Sequence, residues 1–238
     1  MQRALIIGGS RGLGLGLVRE HLARGWHVTA TQRGASAELE ALAREFDGRL
    51  ILETLDITSV AQAQALSDRL AGQSFDLLFL NAGIMAGRGA DLRQVPDDDI
   101  HAIFLTNAIS PIRVADTLAR HVRPGGMIAF MSSILGSIGT NDDGRAELYR
   151  ASKAALNMIV HTLGYETAKK SVIIAAISPG SVDTKPVKGE LGYGSNFKQP
   201  GAGQPGDSVA GIIKVIAGLT PAQNGEFLDY KDGRVIPW

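Results

Sequence analysis

Tyr149 and Lys153 stand four residues apart, with Arg150, Ala151 and Ser152 between them, and that spacing puts both side chains on one face of a helix. A phenol with a pKa of about 10 neither gives nor takes a proton readily near neutrality. Bringing it to about 7 takes roughly 4 kcal/mol, which is about what a unit charge supplies from about 4 Å at an effective dielectric of about 20. One lysine ammonium is therefore enough to make such a tyrosine an acid–base group. The same pair also fits an ordinary helix surface, so the chemistry has to be argued from what else the chain carries.

The second chemical stretch is residues 4–18. The apolar run Ala4, Leu5, Ile6, Ile7 opens into Gly8, Gly9, Gly12, Gly14 and Gly16, and Leu17, Val18, Leu22 and Ala23 follow at helical spacing. This pattern reads as strand, tight turn and helix. Glycines let the backbone approach a phosphate, and the N–H groups and dipole of a helix N-terminus favour its charge. A P-loop is excluded, because it needs Lys-Ser or Lys-Thr where this chain has Leu15-Gly16. Gly8-Gly9-Ser10-Arg11-Gly12 matches the nucleophile elbow of serine hydrolases. That fold needs an earlier strand and loop to donate to the oxyanion and a histidine late in the chain, yet nine residues precede Ser10 and no histidine follows His161.

A dinucleotide-binding turn is the remaining reading, with glycines spaced Gly8-x-x-x-Gly12-x-Gly14 rather than as G-x-G-x-x-G. In such folds a carboxylate about 20 residues further on bonds the ribose 2′-OH. Thr31, Gln32 and Arg33 stand there instead. Arg33 and Arg11 offer planar forks of donors to a 2′-phosphate, which favours NADP over NAD; two solvated surface arginines are the plainer alternative.

With these residues in place, the chain resembles the short-chain dehydrogenase/reductase family over nearly its whole length. Gly8, Gly12 and Gly14 match the cofactor turn, with Ile7 where threonine is usual. Asp56 matches the aspartate that contacts adenine, and Asn81-Ala82-Gly83 the Asn-Ala-Gly after the fourth strand. Asn107, Ser133, Tyr149 and Lys153 match the catalytic tetrad, and residues 179–184 the nicotinamide-carboxamide segment. Residues 132–137 and Ile236-Pro237-Trp238 are similar to the C-factor and sniffer-type carbonyl reductases within the family.

The resemblance implies an oxidoreductase that moves a hydride between NADP(H) and an aldehyde, ketone or alcohol, with no metal. Tyr149 would give the proton, Ser133 would bond the same oxygen, Lys153 would act on the tyrosine and hold the ribose, and Asn107 would keep a water for proton relay. The implied cofactor contacts are Gly8, Ser10, Arg11, Gly12, Leu13, Gly14, Arg33, Asp56, Ile57, Asn81, Ala82, Gly83, Tyr149, Lys153, Pro179, Gly180, Val182 and Thr184. A homodimer or homotetramer, joined through the helices at 97–122 and 147–168, is expected from the same resemblance. Fifteen residues separate Ser133 from Tyr149, more than is usual in the family; the surplus, Asn141-Asp142-Asp143-Gly144, can bulge outward as a polar turn. That leaves Ser132, Ser133 and Ser137 as candidates to face the substrate, with Ser133 preferred.

The elements that must position these groups alternate. Strands are expected at 26–31, 49–53, 75–80, 127–131, 172–177 and 225–230. Helices are expected at 37–46, 59–71 (with Asp56 and Ser59 as capping candidates), 97–122, 147–168 and 207–218. Pro111 should kink the helix at 97–122, and Gly25 can close the first helix as a left-handed cap. This order predicts an α/β fold, a single-domain doubly wound (Rossmann) parallel sheet with helices on both faces over residues 1–238, its ligand crevice at the carboxyl ends of the strands. Residues 181–206, rich in Gly, Pro, Lys and Ser and containing Tyr193 and Phe197, read as a substrate lid.

Composition narrows the partners. Twenty-four basic residues balance 24 acidic ones, so no electrostatic footprint for nucleic acid or an anionic membrane is present. There is no cysteine, and the five histidines show no metal-ligand spacing. The apolar run before the glycines is too short for a signal-peptide core and no run approaches a membrane span, which leads to the expectation of a cytoplasmic protein. Two other readings stay open beside the reductase: a cofactor-binding sensor or signalling protein without catalysis, and the serine hydrolase.

Overall fold

Runs such as Phe75–Leu80 carry no polar alternation because helices cover both faces of the sheet they belong to. The computed structural model describes residues 1–84, 92–144, 146–167, 171–182 and 203–238. Among these, β1 (Arg3–Ile7), β2 (His27–Gln32), β3 (Leu50–Thr54), β4 (Phe75–Leu80), β5 (Val122–Met131), β6 (Ile173–Ser178) and β7 (Glu226–Asp229) form one sheet in the order β3-β2-β1-β4-β5-β6-β7. Every pairing is parallel, as the doubly wound reading requires. Side chains still alternate in destination. Ala4 and Ile6 enter one apolar layer with α1 (Gly12–Ala23), α2 (Ala37–Glu45) and α7 (Pro205–Ala217), while Leu5 and Ile7 enter the other with α3 (Val60–Arg69), α5 (Ser110–Leu118) and α6 (Glu147–Thr167).

Parallel strands put their carboxyl ends on a single edge. Gly8, Asp56, Asn81, Ser132 and Pro179 all follow strand ends there, and the chain turns from β1 toward β2 on one side and β4 on the other. This reversal of strand order opens the crevice.

The expected helix at 97–122 is corrected. It divides into α4 (Asp97–Phe104), a π-turn at Leu105–Ile109 and α5, and Val122 already belongs to β5. Pro111 supplies the cause. It has no N–H to give the carbonyl of Asn107 four residues earlier, and the backbone widens instead, Ser110 N donating to Leu105 O across five residues. Asp56 is not a cap of α3 either; Ser59 caps it, accepting from Gln62 N, while Asp56 Oδ1 accepts from Thr58. The strand expected at 127–131 begins five residues earlier, at Val122, the remaining boundaries move by a residue or two, and Gly25 does take the left-handed conformation with φ of +82°.

α6 is seated by a close backbone approach. A Cβ on Gly164 would lie 2.6 Å from Gly225 Cα, and Asn224 Nδ2 donates to Gly164 O at 2.6 Å. Gly164→Ala is expected to lower stability by about 1–3 kcal/mol, the range for inserting a methyl group into a packed contact, read as a lower melting temperature by calorimetry.

Candidate active site

The glycine turn is built for close contacts. Gly8 has φ of +84°, and a Cβ there would sit 3.0 Å from Ala82; a Cβ on Gly14 would overlap the Gly8 carbonyl oxygen. Three neighbours hold the turn. Gly8 N donates to Thr31 Oγ1 at 2.9 Å and Gly9 N to Thr31 O at 2.8 Å; Asn81 Nδ2 donates to Gly8 O at 2.8 Å, and Ser36 Oγ to Ser10 O at 2.9 Å. Thr31, read in the sequence only as a missing carboxylate, thus supplies a hydroxyl to the turn where Ile7 has none. α1 starts at Gly12 with Arg11 as an extended N-cap that makes no side-chain capping bond. The first N–H groups of the helix are therefore not taken by a cap, and the cradle fits the phosphates of a dinucleotide.

Ser10 and Leu13 are half-buried beside this cradle, and Arg11 and Arg33 are exposed. The Ser36–Ser10 bond draws the segment after β2 against the turn, which brings the region of Arg33 to that of Arg11. Asp56 stays ionised below the usual carboxylate range, chiefly through the bonds from the Thr58 side chain and backbone and to a smaller extent through the charge of Arg33. Ile57 packs its side chain on the core layer beneath.

At the other side of the crevice, α6 lines up Tyr149, Lys153 and Asn157 at intervals of four. Lys153 is 4% exposed. Its Nζ donates to Met131 O at 2.9 Å and lies 6.0 Å from the centre of the Tyr149 ring. Burial pushes its pKa from 10.5 down to about 8. Asn107, in the π-turn, is wholly buried; its Nδ2 donates to Ile84 O and Ser152 Oγ and its Oδ1 accepts from Ile84 N. Gly83 closes the group, since a Cβ there would lie 3.3 Å from Asn107 Oδ1 and 3.6 Å from Lys153 Nζ.

The three serines separate by their bonds. Ser132 Oγ donates to Asn157 Oδ1 at 2.6 Å, and Ser137 Oγ to Pro237 O at 2.5 Å. Ser133 Oγ accepts from Leu135 N at 3.2 Å, which leaves the hydroxyl proton unspent by that bond and favours Ser133 as the hydroxyl that faces a ligand. Asn157, which also donates to Gly136 O at 3.2 Å, was missed by sequence reasoning; its place one turn beyond Lys153 was the available signal.

The polar turn at 141–144 is exposed as expected, yet not detached. Asp143 Oδ1 pairs with Arg150 Nη2 at 2.5 Å, and Arg150 is buried next to Tyr149. Ala146 takes φ of +63° immediately before α6, a conformation that costs a non-glycine residue about 1–2 kcal/mol. Pro179 and Gly180 follow β6, with Ser208 Oγ donating to Pro179 O at 2.8 Å and Gly180 in the left-handed region against Tyr230. Val182 bridges to Gly203. Thr184 and most of the expected lid, residues 183–202, lie outside the described residues, as do 85–91.

A family model described as short chain dehydrogenase matches residues 2–191. The chain belongs to that family. C-signal of Myxococcus xanthus is 36% identical over 166 residues, which cover 68% of this chain and 92% of that protein. The carbonyl reductase Sniffer of D. melanogaster is 28% identical with a TM-score of 0.88 over the full length of both chains. A carbonyl reductase from Pseudomonas aeruginosa PAO1, solved in complex with NADP, is 32% identical with a TM-score of 0.86, again covering 100% of each chain. A serine–histidine bond does form in the chain, Ser67 Oγ to His121 Nε2 at 2.8 Å, but it lies between α3 and the start of β5, at the edge of the sheet opposite Ser10. No helix of the described residues is long and apolar enough to cross a membrane.

Because Lys153 titrates near 8 when folded and near 10.5 otherwise, the unfolded chain binds the extra proton between these values. Stability contributed through this group therefore rises with pH across that window, by on the order of 3 kcal/mol. Denaturant titrations of the wild type and Lys153→Met between pH 7.5 and 10.5 are expected to show the wild type gaining on the variant, while parallel curves would contradict it.

Proposed function

We propose that the chain is an NADP(H)-dependent carbonyl reductase acting on an aldehyde or ketone, or on the corresponding alcohol in reverse. The observation that carries this reading is the convergence of Lys153, Asn107 and Gly83 on the Tyr149 face of α6, with the Ser133 hydroxyl proton left for a ligand. The likeness to carbonyl reductases, one solved with NADP, supports it.

Gly8, Ser10, Gly12, Leu13 and Gly14 hold the pyrophosphate on this reading. Asp56 and Ile57 flank the adenine, Asn81, Ala82 and Gly83 line the middle of the crevice, and Pro179, Gly180, Val182 and Thr184 meet the carboxamide. When bound there, the nicotinamide supplies or accepts the hydride, so the protein has only to manage a proton and an oxygen. Tyr149 donates its phenolic proton to the oxygen as negative charge builds, and Ser133 donates a hydrogen bond that strengthens at the same moment. Lys153, charged below about pH 8, stabilises the tyrosinate left behind and holds the ribose. The Asn107 side chain is occupied with Ile84 and Ser152. Its main-chain carbonyl, which Pro111 cannot cap, is the group that holds the relay water. Arg11 and Arg33 bind the 2′-phosphate.

On the same reading residues 1–238 act as one unit in the cytoplasm, with 181–206 as lid. Copies pair through the 97–122 segment and α6, where Ile109 in the π-turn and Met158 and Tyr165 on α6 expose apolar side chains. Likeness to a protein named C-signal favours a second reading, signalling through a partner, in which Tyr149 chemistry would be dispensable.

Oxidation of NADPH and NADH measured in parallel over aldehydes, ketones and quinones tests the main reading. Turnover with NADPH preferred is expected, and Tyr149→Phe should lower kcat by at least about 100-fold while NADPH binding survives. A wild type that binds NADPH and turns over nothing in the panel would refute the reductase. Separately, Arg11→Ala and Arg33→Ala should each cut the preference for NADPH over NADH roughly tenfold, as expected for loss of a charge-assisted bond; an unchanged preference removes them from the 2′-phosphate.

A further inference from the structure

The loop that follows β5 is held at two places by parts of the chain distant in sequence. Its beginning is fixed on α6, where Asn157 accepts from Ser132 and donates to Gly136 O. Gly136 lies so close to α6 that a Cβ would come within 2.9 Å of Lys153. Its far part is fixed on residues 236–238. Ser137 Oγ donates to Pro237 O, Gly139 N donates to Trp238 O at 2.8 Å, and a Cβ on Gly139 would meet Pro237 at 3.1 Å. The Ser137 hydroxyl also accepts from Thr140 N at 3.1 Å, so one side chain joins both ends of the loop's outer bend to residue 237.

Residues 236–238 are rooted in turn. Ile236 is buried and its N–H donates to Phe227 O at 2.7 Å in β7. The Trp238 ring stacks on Phe227 at 5.9 Å and 25°, and its other neighbour is the His161 ring on α6 at 4.8 Å. Phe227 itself is wholly buried, so the indole bears on a fixed wall. Ser133 and the start of the short turn Ile134–Gly136 lie between the two points held by Asn157, and Ser137, held by Pro237, follows Gly136 directly.

We propose that residues 236–238 form a strap that positions the Ser133 loop for catalysis, with Trp238 and Ser137 as positioning residues. Neither touches the reacting oxygen in this scheme; they set where the Ser133 hydroxyl stands. The cofactor cradle is tied independently, by Thr31, Ser36 and Asn81 at the far side of the crevice. Loosening the strap therefore acts on the carbonyl and not on the dinucleotide. Misplacement by about 1 Å is enough to cost up to about 100-fold in rate.

The catalytic part of this inference rests on the carbonyl reductase reading, so the test pairs an activity readout with one that needs no activity. Trp238→Ala, Ser137→Ala, the double variant and Trp238→Phe are compared by hydrogen exchange of peptides spanning 133–140, by kcat and KM for a carbonyl substrate, and by the Kd for NADPH. Trp238→Ala should speed exchange over 133–140 and lower kcat about tenfold with the NADPH Kd unchanged within about twofold. Trp238→Phe should restore most of both, and the double variant should be no worse than Trp238→Ala, since the two side chains act through the same strap. Should Trp238→Ala not fold, Ser137→Ala, which removes one hydroxyl, gives the same reading at smaller amplitude. Wild-type exchange in Trp238→Ala and Ser137→Ala overturns the strap whether or not the protein is a reductase. Faster exchange with full kcat, or NADPH affinity falling in step with kcat, overturns its catalytic part. A wild type without turnover overturns the reductase reading and leaves exchange to decide the strap.

Discussion

A charged ammonium kept out of water constrains everything around it. Lys153 lies within the protein against the Met131 carbonyl at the end of β5, and its lowered pKa records the cost of that burial. The position is reachable because two elements come unusually near: Gly83 after β4 and Gly136 after β5 have no side chain to stand in the way. α6 also comes close at its far end, through the Gly164–Gly225 approach. Polar residues collect around the same point for the same reason, Asn107 through Ile84 and Ser152, and Asn157 through Ser132 and Gly136. A buried polar group without a partner would cost about as much as the packing gains, so each of these is bonded to main chain or to another buried side chain.

The crevice is consequently two-sided. One wall, from β1, β2 and β4, is a backbone surface shaped by glycines and pinned by Thr31, Ser36 and Asn81. The other, from β5, α6 and residues 236–238, is a side-chain surface pinned by Asn157 and Pro237. The two walls are thus anchored by different parts of the chain. The surplus turn at 141–144 belongs to the second wall, and its Asp143–Arg150 pair ties it to the helix that carries Tyr149.

Much of this was legible in the chain. Apolar runs without alternation announced strands buried on both faces, the glycine spacing located the cradle, and the four-residue step from Tyr149 to Lys153 located the helical face. What failed had local causes. The helix at 97–122 reads as continuous because its apolar period continues through 105–109; only the geometry at Pro111, which denies Asn107 a donor, breaks it into α4, a π-turn and α5. Asp56 and Ser59 are both good caps by type, and the choice fell to Ser59 because Thr58 took the aspartate.

The sequence by itself determined the fold, the glycine turn and the shared helical face of Tyr149 and Lys153, since these follow from periodicity and short spacings along one chain; Asn107 and the serines at 132, 133 and 137 were singled out only by the family resemblance. Only the tertiary structure gave Ser132, Ser133 and Ser137 their different hydrogen-bond partners, gave Thr31 and Asn157 their places, and brought Pro237 to Ser137 across 100 residues. Hydrogen bonds of that kind depend on distances between elements that no local pattern encodes; they appear once the sheet order and the close glycine contacts have set how far apart the backbones lie.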